Sequence, residues 1–307
     1  MDRDLLSHLP VVLAVARSGS FAAAAARLGM GASAVSHAVK TVEDRIGMPL
    51  FARTTRSVAL TEAGNDFLAG IEPALTAIEE TIERVRAAKG KVTGVLRLNV
   101  PHVALSLAIT PALAVMAQRH PDLTVEVVSD DRSVDIIAGG FDAGVRLGEM
   151  IAADMVAVRI TPPFQAIMVA SPEYLKTRGK PRKLADLQHH NCIGFRLLAS
   201  GAAYAWDVKD GGKDVNIEVS GSARISDSVY AKELALAGIG IAYLFEPLAR
   251  KEIRERKLIW LLPDASMDEP GLFLYFPRRA SEMPKLRAFI SVLKELTRSG
   301  TRFAGEI

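Results

Sequence analysis

The first sixty residues carry short apolar runs separated by glycines, a pattern of short helices and tight turns. It predicts helices over Leu5–Ala16, Phe21–Leu28 and Ala32–Arg45, followed by two short strands within residues 50–60. Ser20 is a suitable N-cap for the second helix, and Gly29 ends that helix. Pro10 predicts either a kink in the first helix or a late start for it.

A longer helix is predicted from Thr61 to Ala88, because apolar residues recur there every three or four positions. This apolar stripe consists of Phe67, Ile71, Leu75, Ile78, Ile82 and Val85. Pro73 lies inside the stripe and predicts a local kink. Such a stripe suits a core helix of one chain or a helix that pairs with a second chain. Since the helix is long and has a module on each side, we expect it to form a dimer.

After Lys89-Gly90-Lys91, a candidate hinge, strand patterns alternate with helix patterns. The alternation predicts an α/β domain with largely parallel sheets. Strands are predicted at Val95–Val100, Leu123–Val128, Gly144–Leu147, Met155–Ile160, Ala166–Ala170, Cys192–Phe195, Asn216–Val219, Ile239–Leu244, Leu258–Leu262 and Leu272–Phe276. Helices are predicted at Ala104–Arg119, Arg132–Ala138, Pro172–Arg178, Ser228–Ala237, Glu246–Glu252 and Met283–Arg298.

The predicted helix over Ala32–Arg45 has two unlike faces. Its apolar face consists of Val35, Ala38, Val39 and Val42, and its opposite face of Ser33, Ser36, His37 and Lys40. Small residues let a backbone approach DNA, hydroxyl groups bond to base edges, and a lysine reaches phosphate or guanine. With the turn Gly29-Met30-Gly31 before it, the pattern is that of a helix-turn-helix. It equally fits the exposed face of an ordinary helical cap.

Arg53 and Arg56 flank two threonines, Thr54 and Thr55, in the predicted strand–turn–strand segment. A β wing at this place would reach phosphates or a minor groove. Each phosphate contact would make the binding sensitive to salt.

The charge is unevenly distributed along the chain, although the formal net charge of the 307 residues is only +3. Residues 1–60 hold seven Lys and Arg against four Asp and Glu, whereas residues 61–88 hold two against six. A basic end followed by an acidic segment fits a phosphate-facing module joined to an element that faces away from phosphates.

The chain has one cysteine, Cys192, so no internal disulfide and no cysteine metal site are expected. The six histidines have no recognisable metal spacing, and we expect neither a metal nor a cofactor. Residues 1–4 are acidic where a signal peptide is basic, and no window holds about 20 uninterrupted apolar residues. These features predict a cytoplasmic protein that does not enter a membrane.

Four segments together carry a family resemblance: Gly19–Leu28, Ser33–Lys40, Leu50–Arg56 and Leu60–Gly64. In this order and spacing they closely resemble the DNA-binding domain of LysR-type transcriptional regulators, over about residues 5–88. The segments Gly94–Leu98, Gly140–Gly148 and Gly238–Ile241 resemble the effector domain of the same family more loosely.

The resemblance implies an α/β protein with three parts. These are a winged helix-turn-helix over 1–60, a linker helix with a hinge over 61–90, and a two-lobed domain over 91–307 that resembles periplasmic binding proteins. Lobe I is expected over about 91–163 and 268–307, and lobe II over about 164–267. It also implies double-stranded DNA and a small-molecule effector as partners, a homodimer that assembles into a tetramer, and contact with RNA polymerase.

Three residues depart from the family pattern at the reading helix. Gly31 stands where the family often has Ser or Thr, which weakens the N-cap. Ala32 stands where Gln is frequent, which removes an amide that could read adenine. His37 stands where Arg is common, so we expect a different preference for DNA sequence. The resemblance assigns DNA contact to Ser20, Ala32, Ser33, Ala34, Ser36, His37, Lys40, Arg53, Thr54 and Arg56.

In α/β sheets, ligands bind beyond the carboxyl ends of strands. By resemblance, four such places line the cleft between the lobes: Pro101-His102-Val103, Leu147-Gly148, Arg196 and Ser226-Asp227. The backbone at Pro101-His102-Val103 opens a predicted helix and could hold an anion. Arg196 and the helix starts favour an organic acid. Each place also fits an ordinary loop.

Two other functions fit the α/β domain. An enzyme is disfavoured because the chain has no G-x-S-x-G, no P-loop and no G-x-G-x-x-G after the first strand. A solute-binding protein is disfavoured because residues 1–88 would then have no role. We therefore expect a sequence-specific DNA-binding transcription regulator, not an enzyme, that an effector between the two lobes controls.

Overall fold

The computed structural model describes residues 3–53, 58–87, 91–132, 134–148 and 151–298. The chain divides into two compact units, Met1–Lys89 and Gly90–Ile307. Each unit has its own apolar clusters, so each is described separately.

The first unit contains helices α1 Arg3–Ser18, α2 Phe21–Leu28, α3 Ala32–Ile46 and α4 Glu62–Ala87, and strands β1 Phe51–Arg53 and β2 Val58–Leu60. The predicted helices and strands of this unit are thus confirmed. Pro10 lies inside α1, so the late start is wrong. The alternating apolar residues of α1, α2 and α3 pack into one cluster, to which Leu50, Phe51 and Leu68 also belong.

Two glycines of this unit occupy positions that a residue with a side chain could not take without strain. Gly29 caps α2 in the left-handed region, at φ 64°, which a residue with a side chain rarely adopts. Gly64 lies in the first turn of α4, where an added Cβ would come 2.1 Å from the carbonyl oxygen of Leu50. The start of α4 therefore packs directly on the backbone that precedes the wing, and only glycine permits this approach.

The second unit contains two sheets. The first has the strand order β4-β3-β5-β16-β6, and helices α5, α6 and α10 belong with it. Its strands are β3 Gly94–Val100, β4 Leu123–Ser129, β5 Ala143–Leu147, β6 Met155–Arg159 and β16 Leu272–Pro277. Its helices are α5 His102–Ala104, which continues through a π turn at Leu105–Ile109, then α6 Thr110–Arg119 and α10 Pro284–Arg298.

The second sheet has the order β12-β8-β13-β7-β14, with β15 beside β7 and β9 beside β8. Its strands are β7 Phe164–Ala170, β8 Cys192–Arg196, β9 Ala203–Tyr204, β12 Arg224–Ile225, β13 Ile241–Phe245, β14 Ile259–Leu261 and β15 Met267–Glu269. Its helices are α7 Pro172–Arg178, α8 Ser228–Leu236 and α9 Glu246–Arg254. A separate hairpin consists of β10 Trp206–Asp210 and β11 Lys213–Ile217.

The sheets are mixed, so the prediction of largely parallel sheets is wrong. β3 pairs in parallel with β4 and β5, but β16 runs antiparallel to both of its neighbours, β5 and β6. In the second sheet β7 is antiparallel to β13, β14 and β15. β16 enters the first sheet only after the chain has completed the second sheet, and it therefore lies between two earlier strands instead of following a crossover helix.

Two further predictions need correction. No helix forms at Arg132–Ala138 in the described part of that segment, because the Asp135 carboxylate accepts hydrogen bonds from the N–H groups of Ile137 and Ala138 and closes a local turn. The strand predicted at Asn216–Val219 is instead β11, which ends at Ile217. Its partner β10 was missed, although the two-glycine turn between the strands is a typical hairpin signal.

Candidate DNA-binding and effector-binding sites

The two predicted faces of α3 are confirmed. Val35, Ala38, Val39 and Val42 are buried in the core of the first unit. Ala32, Ser33, Ala34, His37 and Lys40 are exposed, and Ser36 is half-buried. Helix α3 therefore presents a row of small, polar and basic side chains to solvent while its apolar face holds it to the unit.

The N-terminus of α3 has no side-chain cap. Gly31 occupies the N-cap position with extended backbone, and no side chain accepts a hydrogen bond from the first turn. By contrast, the Ser20 hydroxyl accepts a hydrogen bond from the Ala23 N–H at 3.4 Å and so caps α2. Ser20 thus positions α2, whereas the first N–H groups of α3 lie beside exposed, small residues.

The wing is only partly described. Glu43 of α3 accepts hydrogen bonds from the N–H groups of Leu50 and Phe51 and so attaches the start of β1 to α3. Arg53 ends β1, but the structure does not describe its side chain, and Thr54 and Arg56 lie outside the described residues. Their predicted phosphate contacts stay predictions.

The apolar stripe of α4 divides into two halves. Phe67 and Leu75 pack against the core of the first unit, and Ile71 is half-buried. Ile78, Ile82 and Val85 are 57%, 47% and 61% exposed. The first half of α4 is fixed further by Arg17 of α1, whose guanidinium donates two hydrogen bonds to Glu72. Within the first unit, the exposed apolar surface of the stripe is therefore its second half.

In the second unit, Asp131 occupies the helix start at His102. Its carboxylate accepts the His102 backbone N–H at 2.9 Å and lies 2.9 Å from the ring Nδ1. The expectation that this N–H holds an external anion is therefore wrong, because a carboxylate of the chain already has that place. The same contact fixes the ring with Nδ1 engaged, which leaves Nε2 for another group.

Helix α8 begins in the same manner. Asp227 is its N-cap, and the Asp227 carboxylate accepts hydrogen bonds from the N–H groups of Val229 and Tyr230. Ser226 and Arg196 emerge side by side, since β12 and β8 pair in parallel with Ile225 opposite Phe195. The Arg196 guanidinium is exposed beside Gly201 and has no ion-pair partner among the described residues.

The structure brings these two helix starts near each other, because α5 lies against α8. Val103 is buried in an apolar cluster that also contains Ala231 of α8, and its predicted contact with an effector stays a prediction. Leu147 packs against the same cluster, and Gly148 lies against the Phe273 ring. Pro101 is half-buried at the N-cap of α5.

A buried arginine organises this region and was missed. Arg146 is 5% exposed, and its guanidinium donates to the Asn99 side chain and to the carbonyl groups of Val145 and Arg132. It thereby holds the loop that carries Asp130 and Asp131. Arg132 donates hydrogen bonds to Asp130, and these bonds lower the pKa of that carboxyl group. A lone charge inside the apolar strand β5 was the available signal.

Two other groups are structural. Burial raises the pKa of the Cys192 thiol to about 12, so the thiolate that redox chemistry requires is not populated at neutral pH. The Tyr174 hydroxyl lies 3.2 Å from His190 Nδ1 and accepts the Asn191 N–H. No cluster of metal-ligating side chains occurs in the described ranges. Within them, no helix is both long and apolar enough to cross a bilayer.

Known proteins match over nearly the whole chain. A family model described as bacterial regulatory helix-turn-helix protein, lysR family, matches residues 6–65, and the model of the LysR substrate binding domain matches residues 89–298. The Escherichia coli K12 protein described as uncharacterized HTH-type transcriptional regulator YcaN is 37% identical over 94% of each chain. The solved structure of CrgA, a LysR-type transcriptional regulator from Neisseria meningitidis, has a TM-score of 0.61 at 29% identity, covering 94% of this chain and 98% of that one.

Proposed function

The chain belongs to the LysR family of transcriptional regulators, and from this premise we propose which residues read DNA, form the dimer and bind the effector. As a family member it is a DNA-binding regulator with a helix-turn-helix and an effector-binding domain. In this proposal the protein acts in the cytoplasm, where the DNA is. Once bound to DNA, it alters transcription through contact with RNA polymerase.

The proposed reading element is α3. The observation that carries this assignment is the contrast between its buried apolar face and its exposed row of Ser33, His37 and Lys40. Ala32 and Ala34 let the first turn approach the major groove, the hydroxyl groups and His37 contact base edges, and Lys40 contacts phosphate. Arg53, Thr54 and Arg56 of the wing add backbone contacts, while Ser20 positions α2 against the same backbone.

A mobility-shift titration tests this assignment. Fragments of the intergenic region beside the protein's own gene are titrated in a salt series with wild type and with Ser33→Glu. The acidic side chain places a charge against the groove, and we expect an affinity loss of at least about 100-fold. Ala69→Glu, which adds the same charge on an exposed face of α4, is the control. Equal losses in both variants, or none in either, would remove α3 from the reading role.

The proposed dimer contact is the exposed half of the α4 stripe. Ile78, Ile82 and Val85 are each about half exposed or more, and a second α4 would cover them. Ile71 and the two core-packed residues, Phe67 and Leu75, set the direction of the helix instead. Dimers of dimers then give the tetramer.

Sedimentation velocity tests this dimer contact. The double variant Ile78→Lys with Ile82→Lys should sediment as a monomer. The control variant Ala77→Lys with Arg86→Ala, which changes two other exposed positions of α4, should keep the oligomeric state of wild type.

The proposed effector is an organic acid bound between the two sheets of the second unit. Its carboxylate binds the unpaired Arg196, and a hydroxyl or amine group binds the free Nε2 of His102. Pro101, Leu147, Gly148 and Ser226 form the walls, and Asp227 holds α8 in place. Because Asp131 and Asp227 already occupy both helix starts, side chains rather than backbone N–H groups select the acid.

Thermal unfolding in the presence of malate, succinate or citrate tests this assignment. An acid that binds wild type should raise its unfolding temperature, and it should lose the effect in Arg196→Gln. Arg224→Gln removes a neighbouring exposed cation on β12 and should respond as wild type. The organic-acid assignment fails if none of the three acids shifts wild type, or if Arg196→Gln responds equally.

A further inference from the structure

One short stretch of the second unit is strongly basic. Between Lys176 and Lys183 the chain places five cations, and the only acid from Pro172 to Lys183 is Glu173. The cations of this basic segment are Lys176, Arg178, Lys180, Arg182 and Lys183. All five are exposed. The segment therefore adds a concentrated positive charge to a chain whose formal net charge is only +3.

None of these five side chains forms an ion pair within the described part of the chain. Other basic residues of the same unit are paired: Lys232 lies 3.1 Å from Glu252, and Arg250 lies 2.6 Å from Glu246. Asp186, three residues after the segment, accepts hydrogen bonds from the backbone N–H groups of Arg182 and Lys183, and these bonds lower its pKa. Asp186 thus fixes the backbone of the segment, although within the described residues it forms no ion pair with the five side chains.

The backbone beneath the cations is well fixed. Ser171 caps α7, Gly179 ends it at φ 81°, and Pro181 is buried. Lys176 and Arg178 lie in the last turn of α7, where cations stabilise the helix dipole. Lys180, Arg182 and Lys183 follow the helix and have no such role. These three charges are therefore available to a partner outside the described residues.

We propose that the basic segment binds the phosphate backbone of DNA that flanks the operator. Five exposed cations with no aromatic residue between Lys176 and Lys183 fit a polyanion that is read by charge rather than by base edges. DNA is the polyanion that this chain already holds, and tethering raises its local concentration at every other basic surface of the protein. The segment would extend the footprint and strengthen binding without adding sequence specificity.

The test compares two triple variants of the full chain. One carries Lys180→Gln, Arg182→Gln and Lys183→Gln. The control carries Arg278→Gln, Arg279→Gln and Lys294→Gln, which removes the same charge from exposed positions elsewhere in the unit. Each protein is titrated onto a duplex limited to the footprinted operator and onto one extended by about two helical turns on each side.

We expect the first triple variant to lose affinity for the extended duplex and to keep its affinity for the operator duplex. Each phosphate contact costs about 3.5-fold in affinity when salt rises from 50 to 200 mM, so wild type should lose up to about 40-fold more than the first triple variant over this range. The control should behave as wild type. The proposal is overturned if the two triple variants bind DNA indistinguishably. It is also overturned if the first triple variant keeps its DNA affinity but activates RNA polymerase less, because the segment would then bind an acidic protein. Failure of α3 to read DNA would differ, since wild type would then bind neither duplex specifically.

Tethered cleavage gives an independent measurement. Cys192 is 1% exposed, so a cysteine introduced by Arg182→Cys can be labelled selectively with an iron–EDTA reagent. Cleavage of the extended duplex outside the operator footprint is expected from position 182 and not from Arg279→Cys. An equal pattern from both positions, or none from 182, would contradict the proposal.

Discussion

Three helix starts, one in the first unit and two in the second, differ in the group that occupies their first N–H groups. Helix α3 begins at Gly31 without a side-chain cap, and small exposed residues surround its first N–H groups. In the second unit, Asp131 fills the start at His102 and Asp227 fills the start of α8. All three ends carry the partial positive charge of a helix N-terminus. Only the end that is proposed to face DNA leaves this charge free.

This difference separates two ways of binding an anion. An open helix end can meet a phosphate with its backbone, whereas an end closed by a carboxylate repels a second anion. The organic acid proposed for the second unit would accordingly be recognised by side chains such as Arg196 and not by the two helix starts that Asp131 and Asp227 occupy.

The largest effect is expected from Arg146→Leu, which removes the residue that holds the Asp130–Arg132 loop. The change removes the hydrogen bonds to the buried Asn99 side chain and to the carbonyl groups of Val145 and Arg132, and should cost about 3 to 5 kcal/mol of unfolding free energy. Urea unfolding followed by tryptophan fluorescence measures it, because both tryptophans, Trp206 and Trp260, lie in the second unit. Arg132→Leu, whose side chain is 62% exposed, should cost far less.

Next in size is Gly31→Asp, which would close the open end of α3 as Asp131 closes the other. The carboxylate caps the helix but repels phosphate, so DNA affinity should fall by about tenfold to 100-fold although the fold is kept. Gly31→Asn is the control, since it supplies a similar cap without charge. If both variants bind DNA equally, the open helix end has no part in recognition.

The reverse change, Asp131→Ala, would open the closed end at His102. Loss of two hydrogen bonds should lower the unfolding free energy by about 1 to 2 kcal/mol. Sulfate should restore part of this loss by taking the vacated place, and it should not affect wild type or Asp154→Ala, an exposed acid in the same unit. A sulfate response of equal size in all three proteins would contradict the idea that Asp131 excludes anions.

The smallest effect concerns Asp130 and pH. Hydrogen bonds from Arg132 lower the pKa of Asp130, so this carboxylate stabilises the fold at neutral pH and loses that contribution as pH falls through its lowered pKa. Asp130→Asn should therefore be slightly less stable than wild type near pH 7 and equal to it at the acid end. A difference that persists or grows towards low pH would show that the side chain acts through packing.

Local features of these sites could be predicted from the sequence, and long-range pairings could not. The two faces of α3 follow from the helical period, so Val35 and Ser33 were assigned correctly. Asp131 pairs with His102 across 29 positions, and Arg146 joins strands and a loop that only the sheet order brings together. The hairpin of β10 and β11 was different, since Gly211-Gly212 between two strands was a readable local signal.

The contact of Gly64 with Leu50 and the Arg17–Glu72 ion pair attach the start of α4 firmly to the rest of the first unit. Gly64, Phe67, Glu72 and Leu75 attach the first half of this helix to the core that contains α3, and from Glu72 to Ala87 the helix extends for roughly 22 Å. A sideways displacement of about 2 Å at the far end then turns the piece that holds α3 by about 5°, given this arm length. A shift as small as a side-chain rearrangement, applied at that end, would thus change the angle at which the reading helix meets the groove.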